Sequence, residues 1–580
     1  MAQPSRVPAR PGRDHRSFSL VDLAIGLALV GVVYTIAVTA AHWTAPLTPS
    51  VDIDLQPRAL PAYAGASVVR MAAAYLLALI FSLIYGRVAA THRAAERVML
   101  PLLDILQSIP ILSFMPGVVL ALVALFPTTN LGLELAAVIL IFTSQAWNLA
   151  FGVYQSLRTI PRELSEAAAL YRLNAWRRFW KLELPASAIS LVWNSMMSWA
   201  GGWFFLMAAE QFTLGEKDFR LPGLGSYLKA AVDAGDLHAL GLGLATLVAV
   251  IVALDQLVWR PLVAWAEKFK VEQSGAAVQP TSWVLTLLRR SALVAWVGER
   301  LLPALTECID RWVARWAPAG DTGPPAAKGV AWGPRLLGAG GLAAVSLIMA
   351  WGGWAGLRLL RELTLADWAA LPPAAGATFL RVAAALAIGV LWTVPVGVAV
   401  GLHPRWAQRV QPLVQIAASI PATALFPVLL LVLLGLPGGL NLAAVALMLL
   451  GTQWYLLFNV IAGAQAIPTD LREAAEVYKL RGWRRWRYLI LPSVFPYLVT
   501  GLITAAGGAW NASIVSEYVS FGGAHYQTLG LGAFIAQAAD TGAYARLAAG
   551  TLTMALLVVA LNRLVWRRLY ALAERRYHLE

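Results

Sequence analysis

Side chains that do covalent or metal chemistry are thinly spread in this sequence. The seven histidines (His15, His42, His92, His238, His403, His525 and His578) form no helical H-x-x-x-H pair, and Cys308 is the sole cysteine. A histidine-built metal site, a cysteine cage and an internal disulfide are therefore not expected. No H-E-x-x-H, G-x-S-x-G or G-x-x-x-x-G-K-[ST] motif occurs, so the matching peptidase, hydrolase and phosphate-loop chemistries have no residues to work with. The chain is expected to hold no catalytic residue, no metal and no cofactor. Its distinctive chemistry is a charged loop that occurs twice. One copy runs Pro161-Arg-Glu-Leu-Ser-Glu166-Ala167-Ala168-Ala-Leu-Tyr-Arg172 and ends at Leu184-Pro185; the other runs Pro468-Thr-Asp-Leu-Arg-Glu473-Ala474-Ala475-Glu-Val-Tyr-Lys479 and ends at Leu491-Pro492. Proline followed by an acidic residue starts a helix well. Glu-Ala-Ala sets one charge beside two small side chains, where another backbone can approach closely. The aromatic and basic residues that follow suit the headgroup layer of a membrane.

The elements that position these loops are apolar. Of 580 residues 59% are hydrophobic and 13% charged, with mean hydropathy +0.66. Soluble proteins are about 45–50% apolar and about 25% charged, so lipid must solvate much of this chain. The formal charge of +14 is read as membrane orientation rather than nucleic-acid binding. Runs long enough to cross a bilayer lie near 18–40, 63–86, 99–126, 132–156, 186–209 and 238–259. A second set lies near 336–357, 377–401, 410–436, 441–462, 493–515 and 546–566. With both termini in the cytoplasm, 36 of the 45 Lys and Arg fall on the cytoplasmic side, as the positive-inside rule requires. The 18–40 run is too long for a secretory signal and reads as a retained anchor.

The two sets are copies. Ser67-Val-Val-Arg70 matches Thr378-Phe-Leu-Arg381, and Ser108-Ile109-Pro110 matches Ser419-Ile420-Pro421, both at an offset of 311. From there the offset is 307: Pro161 with Pro468, Glu210 with Glu517, Gly223 and Gly225 with Gly530 and Gly532. Each copy holds an even number of spans, so the copies share one orientation about an axis along the membrane normal. The expected organisation is a cytoplasmic tail 1–17, a first unit 18–262, a cytoplasmic segment 263–334 and a second unit 335–580. Within the segment, Trp283 to Trp316 reads as amphipathic helices at the membrane surface, and Ala317 to Lys328 as a flexible linker.

These loops and repeats resemble the membrane permease of a binding-protein-dependent ABC importer, with two permease units fused in one chain. That family carries an E-A-A-x-x-x-G loop ending in I-x-L-P. The S/T-x-x-R start, the S-I-P with a proline six residues on and the G-L-G after the fifth span resemble the nitrate/sulfonate/taurine branch. The resemblance implies an all-α membrane protein of two tandem six-helix units in the bacterial inner membrane. It implies coupling through Glu166, Ala167, Ala168, Arg172, Glu473, Ala474, Ala475 and Lys479 to two ATPase subunits, which carry ATP-Mg, and a partner solute-binding protein. A small anion such as nitrate or a sulfonate is the implied solute. The family's glycine is replaced by Arg172 and Lys479, which favour continued helix, so longer coupling helices or added ionic contacts are expected.

Polar residues in the fifth spans are candidates for the pathway: Trp203 and Glu210 in the first half, Trp510, Asn511, Ser513 and Glu517 in the second. The glutamates either line a gate or cap the next outer turn. Arg70 and Arg381, at the outer ends of the second spans, either attract an anion or snorkel to headgroups. The alternative reading is a secondary transporter with parallel 6+6 repeats, which would not need a duplicated Glu-Ala-Ala loop.

Overall fold

The computed structural model describes residues 20–171, 173–214, 217–269, 282–301, 351–521 and 524–576, with 303, 304, 306–309 and 311. The tail 1–17, Arg172, the linker Ala317 to Lys328 and most of the run near 336–357 lie outside the described residues. The first half comprises α1 (Leu20–Thr44), α2 (Leu60–Thr91), α3 (Arg93–Ser108), α4 (Ile111–Leu125), α5 (Leu131–Arg158), α6 (Arg162–Leu170) and α7 (Leu184–Ala209). An antiparallel hairpin, β1 (Gln211–Leu214) and β2 (Lys217–Arg220), then leads to α8 (Leu224–Asp233) and α9 (Leu237–Leu254). Between the halves lie α10 (Trp283–Arg290) and α11 (Ala292–Trp296). The second half repeats the order: α12 (Leu365–Leu402), α13 (Pro404–Ser419), α14 (Ala422–Leu433), α15 (Gly439–Gln465), α16 (Thr469–Val477) and α17 (Leu491–Ser516). Its hairpin is β3 (Tyr518–Phe521) and β4 (Ala524–Gln527), followed by α18 (Leu531–Asp540) and α19 (Tyr544–Leu561). From α6 through α9 every bound in the first half recurs 307 residues later. The recurrence includes two widened helical turns, Phe179–Glu183 with Trp486–Ile490 and Asp255–Trp259 with Asn562–Trp566.

Eight described helices are long and apolar enough to cross a membrane, or nine with one bent pair counted as a span. The twelve expected runs resolve into those eight, the 26-residue α7, two broken third runs and the run outside the described residues. The third runs are not single straight helices. Ile109 and Ile420 precede prolines and are held extended (ψ 124° and 119°), because the proline ring excludes the helical region for the residue before it. In the second half the break turns the chain by 81° between Leu413–Ser419 and α14. α12 starts earlier than expected, at Leu365, because Thr364 and Asp367 form a reciprocal capping box. The two outer hairpins are likewise absent from the sequence reading.

Small residues set the spacing of the spans. Ala74, Ala78, Ser82 and Gly86 recur every fourth residue on α2, and Ala385, Gly389, Thr393 and Gly397 do so on α12; all are buried. With no hydrophobic drive between helices in lipid, such ridges let backbones close on one another. A Cβ on Gly86 would collide with Val153 of α5, and one on Gly397 with the equivalent Val460 of α15.

The chain divides into two compact units that cut across the repeat. One comprises Met1–Ala37, Ile160–Ile189 and Gln256–Pro324; the other comprises Val38–Thr159, Ser190–Asp255 and Pro325–Glu580. In the first, Asp22 of α1 is buried and accepts hydrogen bonds from Ser291 Oγ and from Leu293 N (2.9 Å), holding the start of α11. In the second, the halves interlock: α19 packs on α3 and α4, α9 on α13, and α8 on α14. Thr551 Oγ1 of α19 donates to the Ser113 carbonyl of α4 at 3.0 Å. Trp510, Met448, Leu456 and Met554 form a core that also takes in Leu112 from the first half.

Gly397→Leu should destabilise the protein by about 1–3 kcal/mol through overpacking, read as a lower thermal midpoint in detergent. Gly376→Ala, where nothing lies within 4 Å of the added methyl, should not lower it.

Candidate functional site

The two Glu-Ala-Ala loops fold alike. α6 and α16 are nine-residue helices that follow Pro161 and Pro468. Glu166 and Glu473 are exposed, Ala167 and Ala474 half-buried, and Ala168 and Ala475 buried. A step of about 100° per residue thus turns the carboxylate outward and the second alanine inward. Ala475 packs with Ile467 and Leu489. The expected continuation of these helices does not occur. Lys479 adopts φ +53°, with its amide bonded to the Glu476 carbonyl (3.0 Å) and the Leu480 amide to the Ala475 carbonyl (2.8 Å). Those two bonds are a Schellman cap, whose left-handed position normally belongs to glycine. Leu480, packed beside Ala475, outweighs the helix preference of lysine. Leu173 N bonds to the Ala168 carbonyl in the same way (3.1 Å), closing α6 at the corresponding point.

Arg70 and Arg381 are engaged by partners from their own halves. Arg70 is fully buried, and its Nε and Nη2 donate to the two oxygens of Glu134 at 2.7 and 3.0 Å. Its Nη1 donates to Glu210, which also accepts from Ser67 Oγ and Gly225 N. Ser67 Oγ in turn accepts from Leu224 N at 2.9 Å. In the second half Arg381 Nη1 donates to Glu517 (2.7 Å), which accepts from Thr378 Oγ1 and Gly532 N at 2.9 Å each. Asn441 takes the place of Glu134, accepting from Arg381 Nε and Nη2 at 3.0 and 2.7 Å. A buried charge is held where hydrogen-bonded countercharges surround it, which is why Arg70 and Arg381 point inward. The glutamates therefore cap the outer turn before α8 and α18. A Cβ at Gly223 or Gly530 would strike that carboxylate, which explains a glycine at both positions. Glu134 escaped the sequence reading, although a carboxylate inside an apolar run is a signal of this kind of pairing.

Two cavities lie between the spans. The inner one, about 400 Å³, is walled by α7, the α13–α14 junction, α15 and α17. The outer one, about 590 Å³, is lined at its mouth by Asp218, Arg220, Lys229 and Asp233 from the first half and by Tyr518, His525 and Asp540 from the second. Arg220 is paired with Asp218 (2.7 Å), and Lys229 with Asp233. Burial and then a 2.6 Å hydrogen bond to Asp540 push the Tyr518 hydroxyl above its usual pKa, so it stays protonated.

Trp203, Glu210, Trp510, Asn511, Ser513 and Glu517 are buried and line neither cavity. Asn511 Oδ1 accepts from Leu112 N (3.4 Å), at the start of α4, and its Nδ2 donates to the Gly507 carbonyl. Ser513 Oγ donates to the Trp510 carbonyl at 2.7 Å. The surfaces that do face the cavities belong to neighbours, Phe204 and Phe205 of α7 and Gly508 and Ala512 of α17. Trp454, Tyr455 and Phe458 of α15 were missed, although their spacing puts them on adjoining strips of one helix face. Among the described residues no group of three or more His, Cys, Asp or Glu could hold a metal ion.

The sequence pattern of a family described as "Binding-protein-dependent transport system inner membrane component" matches residues 57–258 and 393–578. Over 189 residues the chain is 26% identical to the nitrate import permease protein of Leptolyngbya laminosa, covering 33% of this chain and 64% of that protein. It is 26% identical over 197 residues to the taurine transport system permease protein of Escherichia coli (33% and 68%). It is 32% identical over 173 residues to the riboflavin transport system permease protein of Chloroflexus aurantiacus (28% and 61%). The chain thus spans roughly two thirds or less of the length of these relatives.

Lys479→Gly should stabilise the α16 cap by about 1 kcal/mol, since glycine avoids the left-handed penalty; slower hydrogen exchange at the Leu480 amide would register it, and unchanged exchange would contradict it. Glu517→Ala strips Arg381 of its carboxylate and should cost about 3–5 kcal/mol, read by thermal unfolding; a loss below about 1 kcal/mol would contradict the buried clamp.

Proposed function

The chain belongs to the binding-protein-dependent transport system inner membrane component family, as a fused pair of permease units, and from that premise we propose that it couples two ATPase subunits to solute import. The observation that carries this reading is the matched exposure of the two loop helices. Glu166 and Glu473 face outward while Ala168 and Ala475 face in, from identical positions in two copies of one helix. One such loop would serve as a topological connector; two, in register, suit two copies of one docking partner. ATP-Mg and its hydrolysis belong to those partners. A solute-binding protein delivers cargo at the opposite face, and the termini lie in the cytoplasm of a bacterium. Units 18–262 and 335–580 are the two permeases, joined by the cytoplasmic segment 263–334, and Arg172 and Lys479 complete the coupling set.

The solute named for the nitrate relative is a small anion, and the branch resemblance implies such a solute, but the proposed function rests on ATP-driven import and not on that solute. Arg70 and Arg381 give that implication no support, because both are engaged by their own partners. The pathway runs through the two cavities. The six polar fifth-span candidates act behind its wall, fixing where Phe204 and Ala512 stand.

Proteoliposomes holding the permease with its ATPases should import solute only with ATP inside the compartment matching the loop side. Uptake driven by a proton gradient alone would contradict the reading. Glu166→Arg and Glu473→Arg should each reduce solute-stimulated ATP hydrolysis by about tenfold or more, because charge reversal in a docking surface blocks association. Thermal stability should change by less than about 0.5 kcal/mol at these exposed sites. Wild-type coupling in both variants would refute the assignment.

A further inference from the structure

Resting on the permease reading, we propose that the inner cavity is a solute site for an uncharged, planar organic molecule rather than for a small anion. Its walls are aromatic: Trp193 and Phe204 project from α7, and Trp454, Tyr455 and Phe458 from α15. Among the described lining residues there is no Asp, Glu, Lys, Arg or His. An anion entering this chamber would give up water for a wall without a countercharge, and charges that leave water require paired partners. The same chain shows that rule at Arg70 and Arg381, each enclosed by carboxylate or amide oxygens.

The polar groups present are neutral and few. The Tyr455 hydroxyl has no hydrogen-bond partner among the described residues, and Gln415 stands at the α13 end of the chamber. The Asn459 side chain donates to the Tyr455 carbonyl at 2.8 Å, leaving its other amide atom for a ligand. Aromatic faces with a few convergent neutral donors and acceptors orient a ring that carries carbonyl or imino groups. Size agrees. The chamber holds about 400 Å³, within the range of roughly 300–1,000 Å³ of small-molecule pockets and far above the ~30 Å³ of one water.

The site is single, despite the repeat. The α5 counterparts of Trp454, Tyr455 and Phe458 are Trp147, Asn148 and Phe151, and none lines the cavity. Trp147 instead meets Phe81 edge-on at 6.0 Å, and Asn148 donates to Ser198 Oγ at 3.1 Å. One half therefore uses this helix face for packing while the other presents it to the chamber.

The test is a tryptophan-fluorescence titration of the full-length permease in nanodiscs, without ATPases, using lumichrome, sodium nitrate and sodium methanesulfonate as separate probes. Lumichrome, an uncharged planar heterocycle, should quench saturably, and neither anion should bind or compete. Phe458→Leu should weaken lumichrome by about fivefold or more, the scale of a lost ring contact. Leu556→Ala, at a side chain 61% exposed on the outer face of α19, should leave it unchanged. Saturable binding of either anion at equal or greater affinity overturns the proposal. So does a lack of saturable lumichrome binding, or binding indifferent to Phe458→Leu. Because no ATPase is present, these outcomes stand apart from coupling: a permease that binds the ring yet fails to stimulate its ATPases refutes the import reading alone.

Discussion

The arginine of each second span, fully buried at Arg70 and largely so at Arg381, is the constraint on which this end of the molecule depends. A guanidinium in the membrane interior must be surrounded by acceptors, and Arg70 obtains them from α5 and from the end of α7. The carboxylate it holds then fixes the first amides of α8. Four elements remote in sequence are thereby tied at one point, and the same knot recurs around Arg381. Once the ends of α7 and α17 are fixed, their faces toward the cavities follow. The knots differ in one group, Glu134 against Asn441, so the first half buries an extra carboxylate, and His42 stands 3.6 Å from it.

Much of this architecture is legible in the sequence, because a duplicated chain records its own register. The offset of 307 that aligns Glu166 with Glu473 also aligns helix bounds, hairpins and widened turns. The Glu-Ala-Ala helices are legible too, since proline, an acidic first turn and Glu-Ala-Ala are local signals. Tertiary pairing was not. Along its own helix Arg70 reads as a surface residue, whereas its partners lie 64 and 140 residues away. Lys479 looked like a helix former because intrinsic propensity says so, and the packing of Leu480 against Ala475 overrides it. The third runs looked like spans by composition, and the prolines at 110 and 421 break them.

The fused chain keeps its symmetry in some places and abandons it in others. The loop helices and arginine knots are near copies. The chamber is not: Phe204 stands at the α7 position matching Asn511 of α17, and Asn511 is bonded to the start of α4. Separate identical subunits could not diverge in this way, whereas two units in one polypeptide can. Each Glu-Ala-Ala helix leads through a short turn and a widened turn directly into the fifth span of its half. Glu473 therefore has a short covalent route to α17, whose Gly508 and Ala512 face the chamber.

The central claim is that one chain supplies both halves of the pathway and both docking helices, so no second permease is needed. Native mass spectrometry of the importer purified through a tag on this chain measures that directly. The account predicts a core complex of one 62.3 kDa permease with two ATPase subunits. A complex containing two copies of this chain, or one copy with a single ATPase, would contradict it.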